Sequence, residues 1–271
     1  MKRLLLVLFA GATIAAAAEP APPYGNNPAA GMYHEVRGIR LYCETYGHGQ
    51  PVLMIHGNGG SIESFKENIG YFAAKYRVIA ADSRAQGKSR DDGDALTFEM
   101  MADDFAALLD ELHIAKAYVV GFSDGGITAL LLAMRHPEKV MRLAATGANL
   151  RPEASAFAPG VWEEDRKRYE RDHARAWNTA KERNDWKLFL LDWREPNIPA
   201  AALQRVTCPA LIICGDHDLI SLEHTVEIYR SLPHAALWIV PNSGHATLRE
   251  HADDFNRVVD GFFNSAHPTA H

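Results

Sequence analysis

Short apolar runs recur along this chain, and stretches with helical spacing or polar loops separate them. The clearest helical stretch follows Thr97, where apolar side chains return every three or four residues. Strands that alternate with helices in this way predict a parallel β-sheet covered by helices on both faces. The runs that we assign to the sheet are Val52–Ile55, Val78–Ala81, Ala117–Val120, Leu143–Ala145, Ala210–Cys214 and Leu237–Val240.

Two segments depart from this alternation. Near the start, Tyr33–Val36 and Ile39–Thr45 flank a turn at residues 37–38 and predict an antiparallel hairpin. Later, residues 147–206 are charged and helical, and they contain most of the tryptophans. An insertion at this place predicts a helical lid. We expect most of its tryptophans to be packing residues and some of them to cover a ligand pocket.

The composition fits one soluble α/β domain with an insertion. The chain has 271 residues, of which 47% are hydrophobic and 23% are charged, and its formal net charge is −6. Lys and Arg number 28 against 34 Asp and Glu, and no basic run with interleaved aromatic residues occurs. We therefore expect a small-molecule ligand and no nucleic-acid partner. The composition carries no signal for the oligomeric state.

The N-terminal residues read as a targeting segment. Two basic residues precede an apolar run, Leu4–Ala18, which ends in an A-x-A arrangement before Glu19. This pattern predicts a secretory signal peptide over residues 1–18 and an exported protein, periplasmic or secreted, without membrane contact after cleavage. An uncleaved anchor is the alternative, although the run is shorter than the roughly 20 residues of a spanning helix. We expect a linker over 19–31, the domain over 32–265 and a disordered tail over 266–271.

The cysteines are predicted to be free and buried, because all lie in apolar stretches. Two of them share one extended segment, which holds them too far apart for a disulfide. None lies on a turn motif, so a thiol nucleophile is not expected. The cysteines are Cys43, Cys208 and Cys214.

The stretch GFSDGG, residues 121–126, joins a predicted strand to a predicted helix. Its G-x-S-x-G pattern is typical of a nucleophile elbow, a turn so tight that small residues must flank the serine. In this strand–turn–helix context the pattern predicts Ser123 as a nucleophile at a helix N-terminus. Such an enzyme requires an acid and a histidine later in the chain, in that order.

Both partners follow later predicted strands. Asp218 comes just after the strand Ala210–Cys214, and His245 lies in the loop after Leu237–Val240. We predict that His245 acts as general base for Ser123, with Asp218 orienting the imidazole. Asp216 is the competing acid, with loop capping as its alternative role. Adjacent acidic and histidine residues rarely converge on one ion, so we expect no metal here.

Two backbone N–H groups are expected to form the oxyanion hole. One belongs to Asp124, directly after the nucleophile, and the other to the loop HGNGG at residues 56–60. Asn58 is the first choice for the second donor and Gly59 the alternative, whereas His56 is expected to be structural. The further candidate substrate-binding residues are Gly57, Asp124 and Trp162.

Taken together, HGNGG, DSRAQGKS at residues 82–89, GFSDGG, GDHD at 215–218 and PNSGH at 241–245 resemble the α/β-hydrolase superfamily. Residues 123–130, SDGGITAL, resemble its valacyclovir hydrolase, or biphenyl-hydrolase-like, group. The resemblance implies an eight-stranded, mostly parallel sheet, a Ser-His-Asp serine hydrolase that cleaves a small carboxylic ester through an acyl-enzyme, and no cofactor. One departure is Ala85, where the family loop usually has glycine.

Asp124 has two possible roles beside the nucleophile. The resemblance implies that its carboxylate holds the α-ammonium of an aminoacyl ester. Alternatively, it caps the following helix, where an acid near the N-terminus is stabilising.

Other functions fit the same motifs. Cofactor-free perhydrolases and carbon–carbon bond hydrolases use the same triad. Epoxide hydrolases and haloalkane dehalogenases are disfavoured, because they have a carboxylate where this chain has Ser123. A ligand-binding receptor on a hydrolase fold is a further alternative. It is disfavoured because binding alone does not require Ser123, Asp218 and His245 together.

We predict that the exported protein begins at Glu19. The mature protein should lack residues 1–18, and a chain produced without them should be soluble and active, because that segment precedes both linker and domain. Intact-mass analysis of the exported protein measures the cleavage. A mature protein that retains residues 1–18 would contradict the signal-peptide prediction.

Overall fold

The computed structural model describes residues 22–265. This part of the chain contains one eight-stranded sheet. The strand order is β1-β2-β4-β3-β5-β6-β7-β8, in which β1 with β2 and β2 with β4 are antiparallel and the other pairs are parallel. The mostly parallel sheet is thereby confirmed. The strands are β1 Gly31–Val36, β2 Ile39–Tyr46, β3 Pro51–Ile55, β4 Arg77–Ala81, β5 Ala117–Phe122, β6 Val140–Thr146, β7 Ala210–Gly215 and β8 Ala235–Val240.

Helices cover both faces of the sheet, as the sequence predicts. The core on one face is formed largely by α2, α3 and α6, and the core on the other face by α1, α7 and α8. The central strands, β3 to β7, are mostly buried on both sides, which explains their uninterrupted apolar runs. The helices are α1 Lys66–Ala73, α2 Phe98–Glu111, α3 Asp124–Arg135, α4 Val161–Asp172, α5 Ala180–Arg194, α6 Leu222–Ser231, α7 Thr247–Glu250 and α8 Ala252–Asn264.

The described part of the predicted linker packs on the sheet. The carboxylate of Glu44, in β2, is fully buried and accepts hydrogen bonds from the backbone N–H groups of Gly25 at 2.7 Å and Asn27 at 2.8 Å. It also accepts from the hydroxyls of Tyr42 at 2.8 Å and Tyr46 at 2.7 Å. Four donors satisfy the buried charge, so this carboxylate ties residues 25–27 to the edge of the domain.

The lid connects β6 to β7 and carries α4 and α5. Polar contacts hold α5 on the core: the amide of Asn184 donates to Ala85 O at 2.8 Å, and Lys187 Nζ donates to Gly93 O at 2.8 Å. Aromatic rings of the lid stack on one another, including Trp162 on Trp193 at 4.5 Å between centroids. The lid is therefore a packed layer of its own above the sheet.

Ala85 adopts the backbone conformation that the family glycine would favour. Its φ is +63°, in the left-handed region. The same loop turns at Gly87, where a Cβ would lie 2.3 Å from the carboxyl of Asp82. That carboxyl accepts from the N–H groups of Ile62 and Lys88 and fixes the loop. The departure from glycine thus leaves the loop conformation intact, at a local steric cost of about 1–2 kcal/mol.

The three cysteines are free and buried, which confirms that prediction. Within residues 22–265, no helix is long and apolar enough to cross a membrane. The predicted signal peptide, residues 1–18, and the predicted tail, residues 266–271, lie outside the described residues.

Candidate active site

The turn between β5 and α3 has the geometry of a nucleophile elbow. Ser123 has φ +56° and ψ −120°, a conformation that only a constrained turn imposes on a serine. A Cβ on Gly121 would lie 2.2 Å from Gly125 O, and a Cβ on Gly125 would lie 1.9 Å from Ile55 O. The flanking glycines are therefore required by the close approach of α3 to the strands.

The structure brings Ser123, His245 and Asp218 together. Ser123 Oγ lies 2.9 Å from His245 Nε2, and His245 Nδ1 lies 2.6 Å from Asp218 Oδ1. Asp218 is 7% exposed and also accepts from the N–H of Ile220 at 3.0 Å. A carboxylate at Nδ1 favours the tautomer with the proton on that nitrogen, which leaves Nε2 free to accept a proton from the serine.

Two further acids shape the loop that carries His245. Glu250 accepts from the N–H of Gly244 at 2.6 Å and from Ser243 Oγ at 3.0 Å. Asp216 Oδ1 accepts from the N–H of Ser243 at 3.0 Å, and it makes no hydrogen bond to His245 within residues 22–265. Asp216 thus has the loop-capping contact that was its alternative role, and Asp218 has the contact with the imidazole.

The loop at residues 56–60 packs against Ser123. A Cβ on Gly57 would lie 2.9 Å from the Cβ of Ser123, so only glycine permits this approach. Burial lowers the pKa of His56 to about 4, and the neutral ring accepts from the N–H of Ser83 at 2.9 Å. Its Nδ1, 2.7 Å from Gly57 O, completes a structural link between two loops.

The two predicted oxyanion-hole residues also lie at this turn. Asp124 is the first residue of α3, where a backbone N–H has no acceptor within the helix. In the described part of the chain, the N–H of Asn58 donates to no backbone or side-chain acceptor. The side chain of Asn58 is engaged elsewhere: Nδ2 donates to Asp124 Oδ2 at 2.9 Å and to Leu188 O, in the lid, at 3.2 Å.

The carboxyl of Asp124 faces a second carboxyl, that of Asp192 in α5. Asp124 is 4% exposed, and a side-chain hydrogen bond joins the two acids. Burial raises the pKa of Asp124 to about 6, while the hydrogen bond from Asn58 opposes the rise. Burial and the adjacent Asp124 raise the pKa of Asp192 well above its ordinary value. Asp192 therefore carries the proton, and its O–H donates the hydrogen bond to the carboxylate of Asp124.

A pocket of about 240 Å³ lies beside this pair, under the lid. A larger cavity, of about 650 Å³, lies between α5 and residues 91–97 and contains none of Ser123, Asp218 and His245 in its lining. Trp162 lines neither cavity, because it is stacked between Phe157 and Trp193. The smaller pocket is lined by Asn58, Gly59, Asp165, Arg168, Asp185, Leu188, Phe189 and Asp192.

Comparison with known proteins agrees with this geometry. A family model for the α/β hydrolase fold matches residues 50–170. Over 282 residues the chain is 30% identical to Serine hydrolase BPHL of Homo sapiens, and the match covers 96% of this chain and 95% of that protein. The chain belongs to the α/β-hydrolase family. Its resemblance to the group that contains Serine hydrolase BPHL is confirmed, and hydrolase activity is supported.

A second relative and a solved structure are also similar to this chain. The chain is 29% identical over 265 residues to 2-hydroxy-6-oxo-6-phenylhexa-2,4-dienoate hydrolase of Burkholderia cepacia. The match covers 83% of this chain and 91% of that protein. A solved thermophilic esterase from Thermogutta terrifontis has the same fold, with a TM-score of 0.73 and 22% identity over 86% of this chain and 97% of that one.

Three residues at this site lie outside the sequence prediction. Asp192 is an isolated acid in the apolar stretch LFLLDW, a signal that marks a buried polar group. Gly147, directly after β6, has φ +67° and lies against the His245 ring. Glu250 follows His245 in the chain but has no motif of its own. The last two contacts depend on the fold of their loops and leave no pattern in the sequence.

We predict that Gly147→Ala displaces the His245 imidazole. A Cβ at this position would lie 2.6 Å from His245 Cε1. A misplacement of about 1 Å is expected to cost on the order of 100-fold in kcat/KM. Hydrolysis of a p-nitrophenyl ester measures the loss.

Gly160→Ala is the matched control. Gly160 has φ +92°, so alanine is strained there too, but nothing lies within 4 Å of the added carbon. Gly160→Ala should therefore lower the melting temperature and leave the kcat/KM largely intact. Equal losses of activity in the two variants would refute the steric explanation.

Proposed function

We propose that this chain is a serine hydrolase that cleaves a small carboxylic ester through an acyl-enzyme. The observation that carries the proposal is the pair of contacts at His245, to Ser123 Oγ at 2.9 Å and to Asp218 at 2.6 Å. In the first step His245 Nε2 takes the proton of Ser123 while Oγ attacks the ester carbonyl. The same proton then passes to the leaving alcohol, and an acyl-serine remains.

Deacylation repeats these steps with water. His245 takes a proton from water, the hydroxide attacks the acyl-serine, and the proton returns to Ser123 Oγ as the acid leaves. In both steps we assign the developing oxyanion to the backbone N–H groups of Asp124 and Asn58. Each such donor contributes about 2.7–4 kcal/mol to transition-state stabilisation.

For the acyl group, we propose an α-amino acid. The carboxyl of Asp124 directly follows the nucleophile, and the neighbouring pocket contains further acids. An ammonium about 5 Å from one carboxylate gains roughly 3 kcal/mol at an effective dielectric of about 20, before desolvation. After the cost of desolvation, this gain leaves one to two decades of preference in kcat/KM.

Hydrolysis of a carbon–carbon bond is the second candidate, since one relative is by name a dienoate hydrolase. A dienoate is an anion, and it would have to approach Asp124, Asp192 and the other acids of the pocket. Repulsion between these acidic side chains and the anionic dienoate opposes binding of the dienoate. The acidic pocket therefore favours the ester of a cationic acyl group.

We also propose that the enzyme acts outside the cytoplasm. The proposal rests on the charged start, apolar run and small-residue site of residues 1–18.

A fluorophosphonate probe tests the nucleophile. The wild-type chain should gain one probe mass on the peptide that contains Ser123, whereas Ser123→Ala should not be labelled there. His245→Ala should label slowly, because the hydroxyl then lacks its base. Both variants should lose about 10⁴-fold or more in kcat, and the double variant little more than either, because the members act as a unit. Substantial ester turnover by Ser123→Ala would refute the covalent mechanism.

Paired substrates test the acyl group. For the wild type, kcat/KM should be higher for L-phenylalanine ethyl ester than for its N-acetyl derivative, by one to two decades. Asp124→Asn should abolish most of this preference. The carboxylate form attracts the ammonium, so the wild-type preference should fall as pH falls through about 6, where Asp124 takes up a proton. Equal losses on both esters would contradict aminoacyl recognition and indicate a general carboxylesterase.

A further inference from the structure

A pair of carboxyls, of which that of Asp124 is buried and that of Asp192 is half-buried, joins the lid to the elbow. Asp192 comes from α5 of the lid and Asp124 from the start of α3, and a side-chain hydrogen bond connects their carboxyls. Two carboxylates cannot form such a bond unless one holds a proton. The amide of Asn58 also donates to Asp124, at 2.9 Å, and to Leu188 O, one turn before Asp192 in the lid helix. The pair is therefore held in place by the loop that we assign to the oxyanion hole.

No cation of the described chain neutralises this pair. Within residues 22–265, no Lys, Arg or His forms a salt bridge with Asp124 or Asp192. The guanidinium of Arg168 lines the pocket but lies over the ring of Phe189, 4.2 Å from its centroid.

The other charged groups around the pair are few. The charge of His245, in the loop after β8, lowers the pKa of Asp124. The charge of Asp165, in α4, raises the pKa of Asp192. Asp185 lines the same pocket, but it is exposed and its carboxylate lies 2.6 Å from Lys181 Nζ. Within residues 22–265, therefore, no cation forms an ion pair with Asp124 or Asp192, and their shared proton is the positive charge that the two carboxyls hold between them.

We propose that Asp192 is a second specificity-determining residue, supplied by the lid, and that Asp124 and Asp192 together bind the acyl ammonium in exchange for the proton they share. The inference rests on the aminoacyl ester of the proposed function and adds to it. One carboxylate is supplied by the core and the other by the lid. The bound ammonium therefore bridges these two parts of the molecule beside Ser123.

The exchange balances in charge. Before binding, the pair consists of a carboxylate on Asp124 and a carboxylic acid on Asp192, with a charge of −1. When the ammonium enters, the proton of Asp192 leaves to solvent and the pair becomes −2 against the +1 of the ligand. No bond of the ester is made or broken in this step. An N-acetylated ester has no ammonium, so it leaves the proton on Asp192.

The first test is Asp192→Asn, which keeps the size of the side chain and removes the charge that Asp192 would take on when the ammonium binds. We expect the ratio of kcat/KM for L-phenylalanine ethyl ester over its N-acetyl derivative to fall about tenfold. Asp185→Asn is the matched control, since it removes the same charge from the same helix and pocket without touching the pair. Its ratio should change less than about twofold, because the charge is exposed and already paired.

The second test measures the proton. Calorimetric titration of the Ser123→Ala protein with L-phenylalanine ethyl ester at pH 7, in two buffers of different ionisation enthalpy, gives the protons released per ligand. The Ser123→Ala, Asp192→Asn protein is titrated in the same way, so the titration of the ester itself cancels in the difference. We expect the first protein to release more protons, by a difference approaching one. Equal release from the two proteins would overturn the exchange.

The outcomes separate this inference from the proposed function. If the wild type prefers the free α-amino ester and Asp124→Asn removes the preference, aminoacyl recognition holds. An unchanged ratio in Asp192→Asn would then overturn the role of Asp192 alone. If the wild type hydrolyses both esters equally, the aminoacyl assignment fails and this inference fails with it. An equal fall in Asp185→Asn would also overturn it, since the general charge of the pocket would then explain the effect.

Discussion

The close packing of α3 on β3 is the constraint on which the site depends. Gly125 brings the backbone of the helix so near to Ile55 O that a single added carbon would lie 1.9 Å from it. The turn before the helix must then be tight, which forces Ser123 into the left-handed region. Because the carboxyl ends of parallel strands lie at one edge of the sheet, the loops after β3, β7 and β8 meet at that edge around the hydroxyl of Ser123.

The lid completes the site at a cost in stability. Asp124 and Asp192 are acids whose pKa values are raised by burial, so folding favours their protonated forms. The contribution of Asp124 to stability is therefore fully present below the ordinary range of a carboxyl and is lost as pH rises through about 6, whereas that of Asp192 is lost only at higher pH. Two acids retained beside Ser123 at such a cost are typical of a binding site that a ligand of opposite charge completes.

Much of this architecture follows from local patterns. Apolar runs of strand length separated by helical spacing are enough to predict a parallel sheet between two helical layers, since each face needs its own cover. The elbow was predictable because few turns place glycines two residues before and after a serine. Asp218 and His245 were predictable from their positions after strands, since strand ends converge in this topology. Local pattern thus determined the sheet, the elbow and the order of the three residues around it.

Tertiary structure alone decided what surrounds those residues. Asp192 and Asp124 are far apart in the chain, and only the docking of the lid on the core makes them share a proton. Gly147 contacts the ring of His245, and Glu250 accepts a hydrogen bond from the loop that carries it. Trp162 stacks on other rings of the lid and lines neither cavity. Such contacts leave no periodic pattern, because their partners come from different elements whose approach depends on packing and not on spacing.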